Sequence, residues 1–347
     1  MPRPTIVVVE NPQSAMHRSD AAQELLARFA DVRRVFLDSE LTQPDRDRLV
    51  DEQLADADGL LLCGWNSVGI GYLSAERLDR CPDLSFIAST SHYRQAWWVD
   101  MDAALARGIT FSETAPAMSP WVAEYEFGLC FAALRDIPQD HELVGRGRWL
   151  EFPETKDSFD RLEGRRVGLV SFGEIHRHLA RYLAPFGTDW EAFDPFVGEE
   201  AIAQAGGRKA DDLVAMASRS EIFFVAAPPT PQTEGLVSRE VIEALPHDAV
   251  FVLVGRMIVV DSEALIERLQ RGDLRLATDV YDPDEPPAAD SPLRTLPNVV
   301  HTPHRGGNTH AAQRAIFLAE CEDARRFFAG EPVRHPIRQE LAALFSK

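Results

Sequence analysis

Arg256, His304 and the neighbouring acids Asp284 and Glu285 are residue types that could do acid–base chemistry on a small organic acid. Each lies just past an apolar run that reads as a buried strand. Ala249 to Val254 precedes the arginine. Leu276 to Val280 precedes the rigid acidic loop Tyr281–Pro287, which holds both acids. Val299-Val300 precedes His301-Thr-Pro-His304. In open parallel sheets, ligands bind past the carboxyl ends of the strands. A guanidinium there can hold a carboxylate through a bidentate pair. An imidazole can move a proton near neutral pH, and a carboxylate beside it fixes its ring and raises its pKa. Singly, an arginine after a strand reads as a surface ion-pair partner and a histidine in a proline-flanked loop as structural. The ordered set favours catalysis.

A second group lies upstream. Val167 to Val170 reads as a strand, Ile175 to Ala184 as a helix, and a further strand ends at Asp194. The turn of this β-α-β unit sits where a dinucleotide fold carries G-x-G-x-x-G. Its three glycine places hold Ser171, Gly173 and His176. Gly173 lets the backbone approach a pyrophosphate at the helix N-terminus, where N–H groups and the helix dipole favour an anion. Asp194 is placed to accept hydrogen bonds from ribose hydroxyls and to select NAD over NADP. His176 is too large for a helix–strand contact. Its ring is expected to swing outward and donate to a pyrophosphate oxygen; the alternative is a ring turned into the sheet.

Strands and helices alternate throughout, which means parallel sheets with helices on both faces. The expected fold is α/β with two doubly wound domains. A flavodoxin-like substrate domain takes residues 1–113 with about 311–347, and a Rossmann dinucleotide-binding domain takes 114–310. The link Thr114–Pro120 is rich in breakers, with Ser119 as N-cap and Pro120 as first helical residue of a helix reaching about Arg135. Residues 137 to 163, with Arg146-Gly-Arg-Trp149 and Phe152-Pro153, lack a clear period. They read as an arm packed on the second subunit of a homodimer, or as an ordinary surface connection. The helix from Ala311 to Phe328 is expected to return to the first domain.

The chain has 347 residues, 45% hydrophobic and 26% charged, and a net charge of −19, ordinary figures for globular protein except for the acidity. Such a surface argues against nucleic acid and anionic membranes as partners. Cys63, Cys81, Cys130 and Cys321 show no C-x-x-C spacing and read as reduced, buried thiols of a cytoplasmic protein without a metal. The chain enters the strand Thr5–Val9 with no signal-peptide pattern, and no apolar run approaches the roughly twenty residues of a membrane span.

Over nearly the whole chain, and most strongly from Val167 to Val333, the sequence resembles the D-isomer-specific 2-hydroxyacid dehydrogenases. The segments that carry the likeness are Gly235-Leu-Val, Val260-Asp-Ser-Glu-Ala-Leu265, Asp279-Val-Tyr, Asp290-Ser-Pro-Leu-Arg-Thr-Leu-Pro-Asn-Val-Val300, Thr302-Pro-His304 and Phe328-Ala-Gly-Glu-Pro-Val333. The resemblance implies a catalytic Arg256 and a proton-transfer His304. The family's glutamate comes before a proline. Asp284 holds its place by count and Glu285 by the proline, and Glu285 is preferred. NAD is the implied cofactor, with contacts at Ser171, Gly173, Glu174, Ile175, His176, Asp194, Pro228, Thr233, Gly255, Asp279 and Gly307. The family's substrate loop is here Ser89-Thr-Ser-His92-Tyr-Arg94, so Ser91, His92 and Arg94 are the implied contacts to a small carboxylate. Two departures stand out: Gly173 alone remains of the glycine turn, and the run before the arginine is Leu253-Val-Gly-Arg256-Met257.

The expected activity is hydride transfer between NAD(H) and a 2-oxo or 2-hydroxy carboxylate. The alternative, suggested by the altered turn, is an NAD(H)-binding corepressor-like protein with little turnover.

Overall fold

The computed structural model describes residues 2–63, 69–90, 98–149, 161–334 and 336–337. The expectations for Ser91, His92, Arg94 and Phe152-Pro153 lie outside them. The chain forms two compact units. One runs through Met118 and resumes at Asn308; the other is Ser119–Gly307.

The first unit is a parallel sheet of β1 (Thr5–Glu10), β2 (Asp31–Phe36), β3 (Gly59–Leu62), β4 (Phe86–Ser89) and β5 (Thr110–Glu113), in the order β2-β1-β3-β4-β5. This is the flavodoxin-like strand order. Thr5-Ile-Val-Val-Val9 is apolar without alternation because both faces of β1 are covered. Ile6 and Val8 meet Ala22 and Leu26 of α1 (Asp20–Phe29) and Phe317, Cys321 and Ala324 of α12 (His310–Phe328). Val7 and Val9 share a cluster with Val50 and Leu54 of α2 (Gln43–Leu54), Leu78 of α3 (Ala75–Asp79) and Ala104 of α4 (Met101–Ala106). The five-residue α3 is too short to show a period in the sequence.

The second unit is a seven-stranded parallel sheet. Its strands are β6 (Arg166–Val170), β7 (Asp189–Phe193), β8 (Arg208–Lys209), β9 (Ile222–Val225), β10 (Ala249–Leu253), β11 (Leu274–Thr278) and β12 (Val299–His301). They run in the order β12-β11-β10-β9-β6-β7-β8. The chain winds outward one way from β6 and the other way from β9, so the sheet has its topological switch point between those two strands. α9 (Leu213–Arg219), α10 (Arg239–Ala244) and α11 (Ser262–Arg271) cover one face through Met216, Ile242 and Leu265, packed on Phe223, Phe251 and Leu276. Gly272 closes α11 at φ 77°, a backbone region that suits glycine. α5 (Ser119–Leu134) and α7 (Glu174–Leu183) pack on each other, and α5 also lies against β10, β11 and β12.

Three features depart from the sequence reading. Ser119 is the first residue of α5 rather than its cap, because Ala115–Met118 is already a 3₁₀ turn. The stretch read as unpatterned contains α6 (Ile137–Gly145), which buries none of its residues and so shows no apolar period. The edge strand β8 and the short α8 (Glu199–Gln204) were not expected. Among the described residues, no helix is long and apolar enough to cross a membrane.

Candidate active site

The second unit places its chemistry along one edge of its sheet. Past the carboxyl ends of the strands come Ser171 after β6, Asp194 after β7, Gly255 and Arg256 after β10, Asp279 after β11, and His304 after β12.

Asp279 is 2% exposed and holds the loop that follows β12. Its Oδ1 accepts the Thr302 hydroxyl at 2.7 Å and the Arg305 N–H at 2.8 Å, and its Oδ2 accepts the Gly306 N–H at 2.8 Å. Within that cradle His304 takes φ 54°, a left-handed conformation that a non-glycine residue keeps only when its surroundings impose it. His304 Nδ1 lies 2.6 Å from Glu285 Oε2, and Glu285 Oε1 accepts the Tyr281 N–H at 3.1 Å. The carboxylate that reaches the ring is therefore Glu285; Asp284 makes no bond to it among the described residues. A carboxylate at Nδ1 keeps a proton there and points Nε2 outward for exchange. Among the described residues Nε2 has no protein partner. His301 stacks on Tyr281 instead, and burial pulls its pKa below the ordinary value.

Arg256 is partly buried, with Nη1 donating to Gly255 O at 2.8 Å. Burial pulls its pKa down, while the carboxylates of Glu285 and Asp279 pull it back up. A guanidinium keeps its charge through such a contest. The result is a cation, a proton carrier and a carboxylate at three adjacent strand ends.

At the other end of this edge, Gly173 is the N-cap of α7 and no side chain caps the helix. The backbone N–H groups of its first turn, including Glu174 and Ile175, are left for an anion. Gly173 is exposed, and a Cβ there would meet nothing nearer than Ser171 Oγ at 3.8 Å. Ser171 takes φ 78°, the conformation that the lost first glycine would have supplied. Asp194 is 8% exposed and its Oδ2 accepts the Phe172 N–H at 2.8 Å, so it braces the turn as well as closing β7. Its Oδ1 accepts the Phe196 N–H at 2.8 Å. Oδ2 also accepts the Ser171 hydroxyl at 3.4 Å, so it is Oδ1 that keeps a second lone pair for a hydroxyl donor.

His176 is not turned outward. Its side chain is fully buried, with Nδ1 at 2.7 Å from Ser171 O and Nε2 at 3.3 Å from Glu126 Oε1 on α5. Swinging it out would strand Glu126 in the core, so His176 is a core residue of the turn and not a phosphate ligand. Burial would lower its pKa, but Glu126, the Ser171 carbonyl and Asp194 together raise it. Thr233 is likewise spent on its own loop: its hydroxyl accepts the Thr230 N–H at 2.7 Å and donates to Pro228 O at 2.5 Å. Pro228 itself is exposed. Gly255 permits a close approach, since a Cβ there would come 3.0 Å from Ala227 O. Gly307 is the half-exposed last residue of the unit.

The uncapped helix, the exposed glycine and the strand-end carboxylate fit a dinucleotide at this edge. Residues 127–306 match the model of the D-isomer specific 2-hydroxyacid dehydrogenase NAD binding domain. The chain belongs to the D-isomer-specific 2-hydroxyacid dehydrogenase family. NAD is the cofactor of the matched domain. Among its relatives in this family is the D-3-phosphoglycerate dehydrogenase of Methanocaldococcus jannaschii, 33% identical over 67% of this chain and 44% of that protein. The chain spans about half the length of the curated relatives it matches. A phosphoglycerate oxidoreductase from Rhizobium etli superposes with a TM-score of 0.80 at 25% identity, over 97% of this chain and 99% of that one. The D-mandelate dehydrogenase of Rhodotorula graminis shares the fold, with a TM-score of 0.81 at 21% identity over 97% and 98% of the two chains.

Sequence reasoning missed one role and one residue of this family member's site. Asp279 was expected to touch cofactor, and its cradle under the His304 loop was not foreseen; a lone acid directly after an apolar strand was the available signal. Glu126 was not singled out at all. Its signal was an acid within the apolar run Trp121–Leu134, at a place where a helix face should be buried.

Proposed function

We propose that the chain is an NAD-linked dehydrogenase acting on a 2-oxo or 2-hydroxy carboxylate. The observation that carries this reading is the Glu285–His304 pair at 2.6 Å, which turns Nε2 away from a carboxylate whose charge also acts on the partly buried Arg256. Gly173 and the first turn of α7 would hold the pyrophosphate and Asp194 the ribose. When bound, NAD(H) supplies the hydride acceptor or donor. In the reducing direction Arg256 binds the substrate carboxylate and polarises the carbonyl. His304 gives the Nε2 proton to the carbonyl oxygen as that oxygen becomes a hydroxyl, and Glu285 stabilises the imidazolium until transfer. In the oxidising direction the neutral ring takes the hydroxyl proton. A corepressor-like protein with little turnover would leave this pair idle.

The test is NADH consumption with a panel of 2-oxo acids that includes glyoxylate and hydroxypyruvate. His304→Ala should lower turnover by about two to four decades, the usual range for a general acid–base. Arg256→Ala should lower turnover and substrate affinity together. Near-native rates in both variants would sink the mechanism.

The exposed apolar residues of the α6 region support a homodimer as the working form. The four cysteines, all buried and not joined in disulfides, support a reducing cytoplasmic setting.

A further inference from the structure

The Ser171–Phe172 peptide is held at both ends. His176 Nδ1 reaches its carbonyl oxygen at 2.7 Å, and its N–H donates to Asp194 Oδ2 at 2.8 Å. Ser171 stands at φ 78°, so this peptide keeps its orientation because its neighbours impose it. A carbonyl can only accept, which means Nδ1 carries a proton. Nε2 faces Glu126 Oε1 at 3.3 Å, and both side chains are fully buried. That second contact also needs a proton between nitrogen and oxygen. The pair thus holds one proton more than a neutral histidine and a carboxylate would, and it is uncharged as a whole. No lysine or arginine pairs with either member among the described residues. The charged groups facing the ring are Glu126 from α5 and Asp194 from the end of β7. Cys130, also on α5, stays a neutral thiol, because burial and Glu126 both push its pKa up. If the extra proton left, a bare carboxylate would face a bare ring nitrogen in the core, an arrangement that buried groups avoid.

We propose that Glu126 is a positioning residue for the cofactor: through His176 and the Ser171–Phe172 peptide it keeps the turn and Asp194 in the geometry that receives NAD(H), and this hold requires one buried proton. The proposal rests on the NAD reading of the turn. The raised pKa of His176 gives the sign. The hold is complete below the ordinary histidine value and is lost as pH rises through the higher value of the folded state.

Glutamine at position 126 separates this from a packing role. Its amide N–H can donate to Nε2 while a neutral ring keeps Nδ1–H on Ser171 O, so the contact survives without the extra proton. Calorimetric titration of NADH into the wild type, Glu126→Gln and Glu126→Leu between pH 6 and 9 tests the idea. Wild-type affinity should weaken with rising pH at a slope approaching tenfold per pH unit, the limit for one required proton. Glu126→Gln should match the wild type at the acid end within about threefold, a difference below one kcal/mol, and should lose that slope. Glu126→Leu should bind weakly at every pH; if it does not fold, the glutamine variant still decides. Equal slopes in the wild type and Glu126→Gln would overturn the inference while leaving the NAD reading intact. No NADH binding by the wild type at any pH would overturn that reading and the inference with it.

Discussion

Glu285 meets His304 in one orientation, because its Oε1 accepts the Tyr281 N–H at 3.1 Å and leaves Oε2 for Nδ1 at 2.6 Å. A glutamine in its place would keep its oxygen on Tyr281 and present its NH₂ to the ring. Nδ1 would then have to accept, and the proton of the neutral ring would move to Nε2, the tautomer that cannot take a proton from a substrate hydroxyl. Glu285→Gln should therefore lower kcat/KM in the oxidising direction by about ten- to a hundredfold, part of the general acid–base contribution. Asp284→Asn should stay within about threefold, since Asp284 makes no bond to the ring. Steady-state kinetics on the two variants checks this, and the reverse ranking would move the partner role by one residue. At this scale the sequence was most legible where a residue type and a strand end coincide, as at Arg256 and His304. It was least legible where a pair forms across the fold. Nothing local to His176 announces a partner 50 residues upstream, so its expected outward swing was an argument about space alone.

At the scale of elements, the loop after β12 is shaped by Asp279. Its two oxygens accept one hydroxyl and two backbone N–H groups. Asp279→Asn would turn one acceptor into a donor facing donors. A buried donor left unsatisfied costs about 1–3 kcal/mol, so the variant should melt earlier. It should also lose turnover, because His304 would no longer be held in its left-handed conformation. Unchanged melting together with full turnover would show the cradle to be dispensable. The elements that the sequence announced are those that bury a face. β1 read clearly because two layers cover it, and α11 because Gly272 ends it. α6 escaped because a helix with no buried residue has no apolar stripe to read. β8 escaped because two residues at a sheet edge carry no pattern.

At the scale of the whole molecule, α6 poses a question of assembly. Ile137 is 53% exposed, Val144 54% and the following Trp149 76%. α6 packs on α5 and Gln139 donates to Pro297 O, yet none of its residues is buried, and exposed apolar side chains grouped in this way mark an interaction surface, so a second surface should cover them. Sedimentation of the wild type should return a dimer, and Val144→Asp should shift it toward monomer. A monomeric wild type would refute the homodimer. The order of the chain has its own consequence. The five strands of the first unit come before Ser119–Gly307 in the chain, yet α12, which covers Ile6, Val8 and Phe86, is synthesised only after all of that segment. At ribosomal rates of about 5–20 residues per second that is a wait on the order of ten to forty seconds. Throughout it, one side of the nascent five-stranded sheet has its lining of valine, isoleucine and phenylalanine without its last helix. The five-stranded sheet thus leaves the ribosome before the seven-stranded one and is completed after it, and that apolar side is where a chaperone would find this chain during its synthesis.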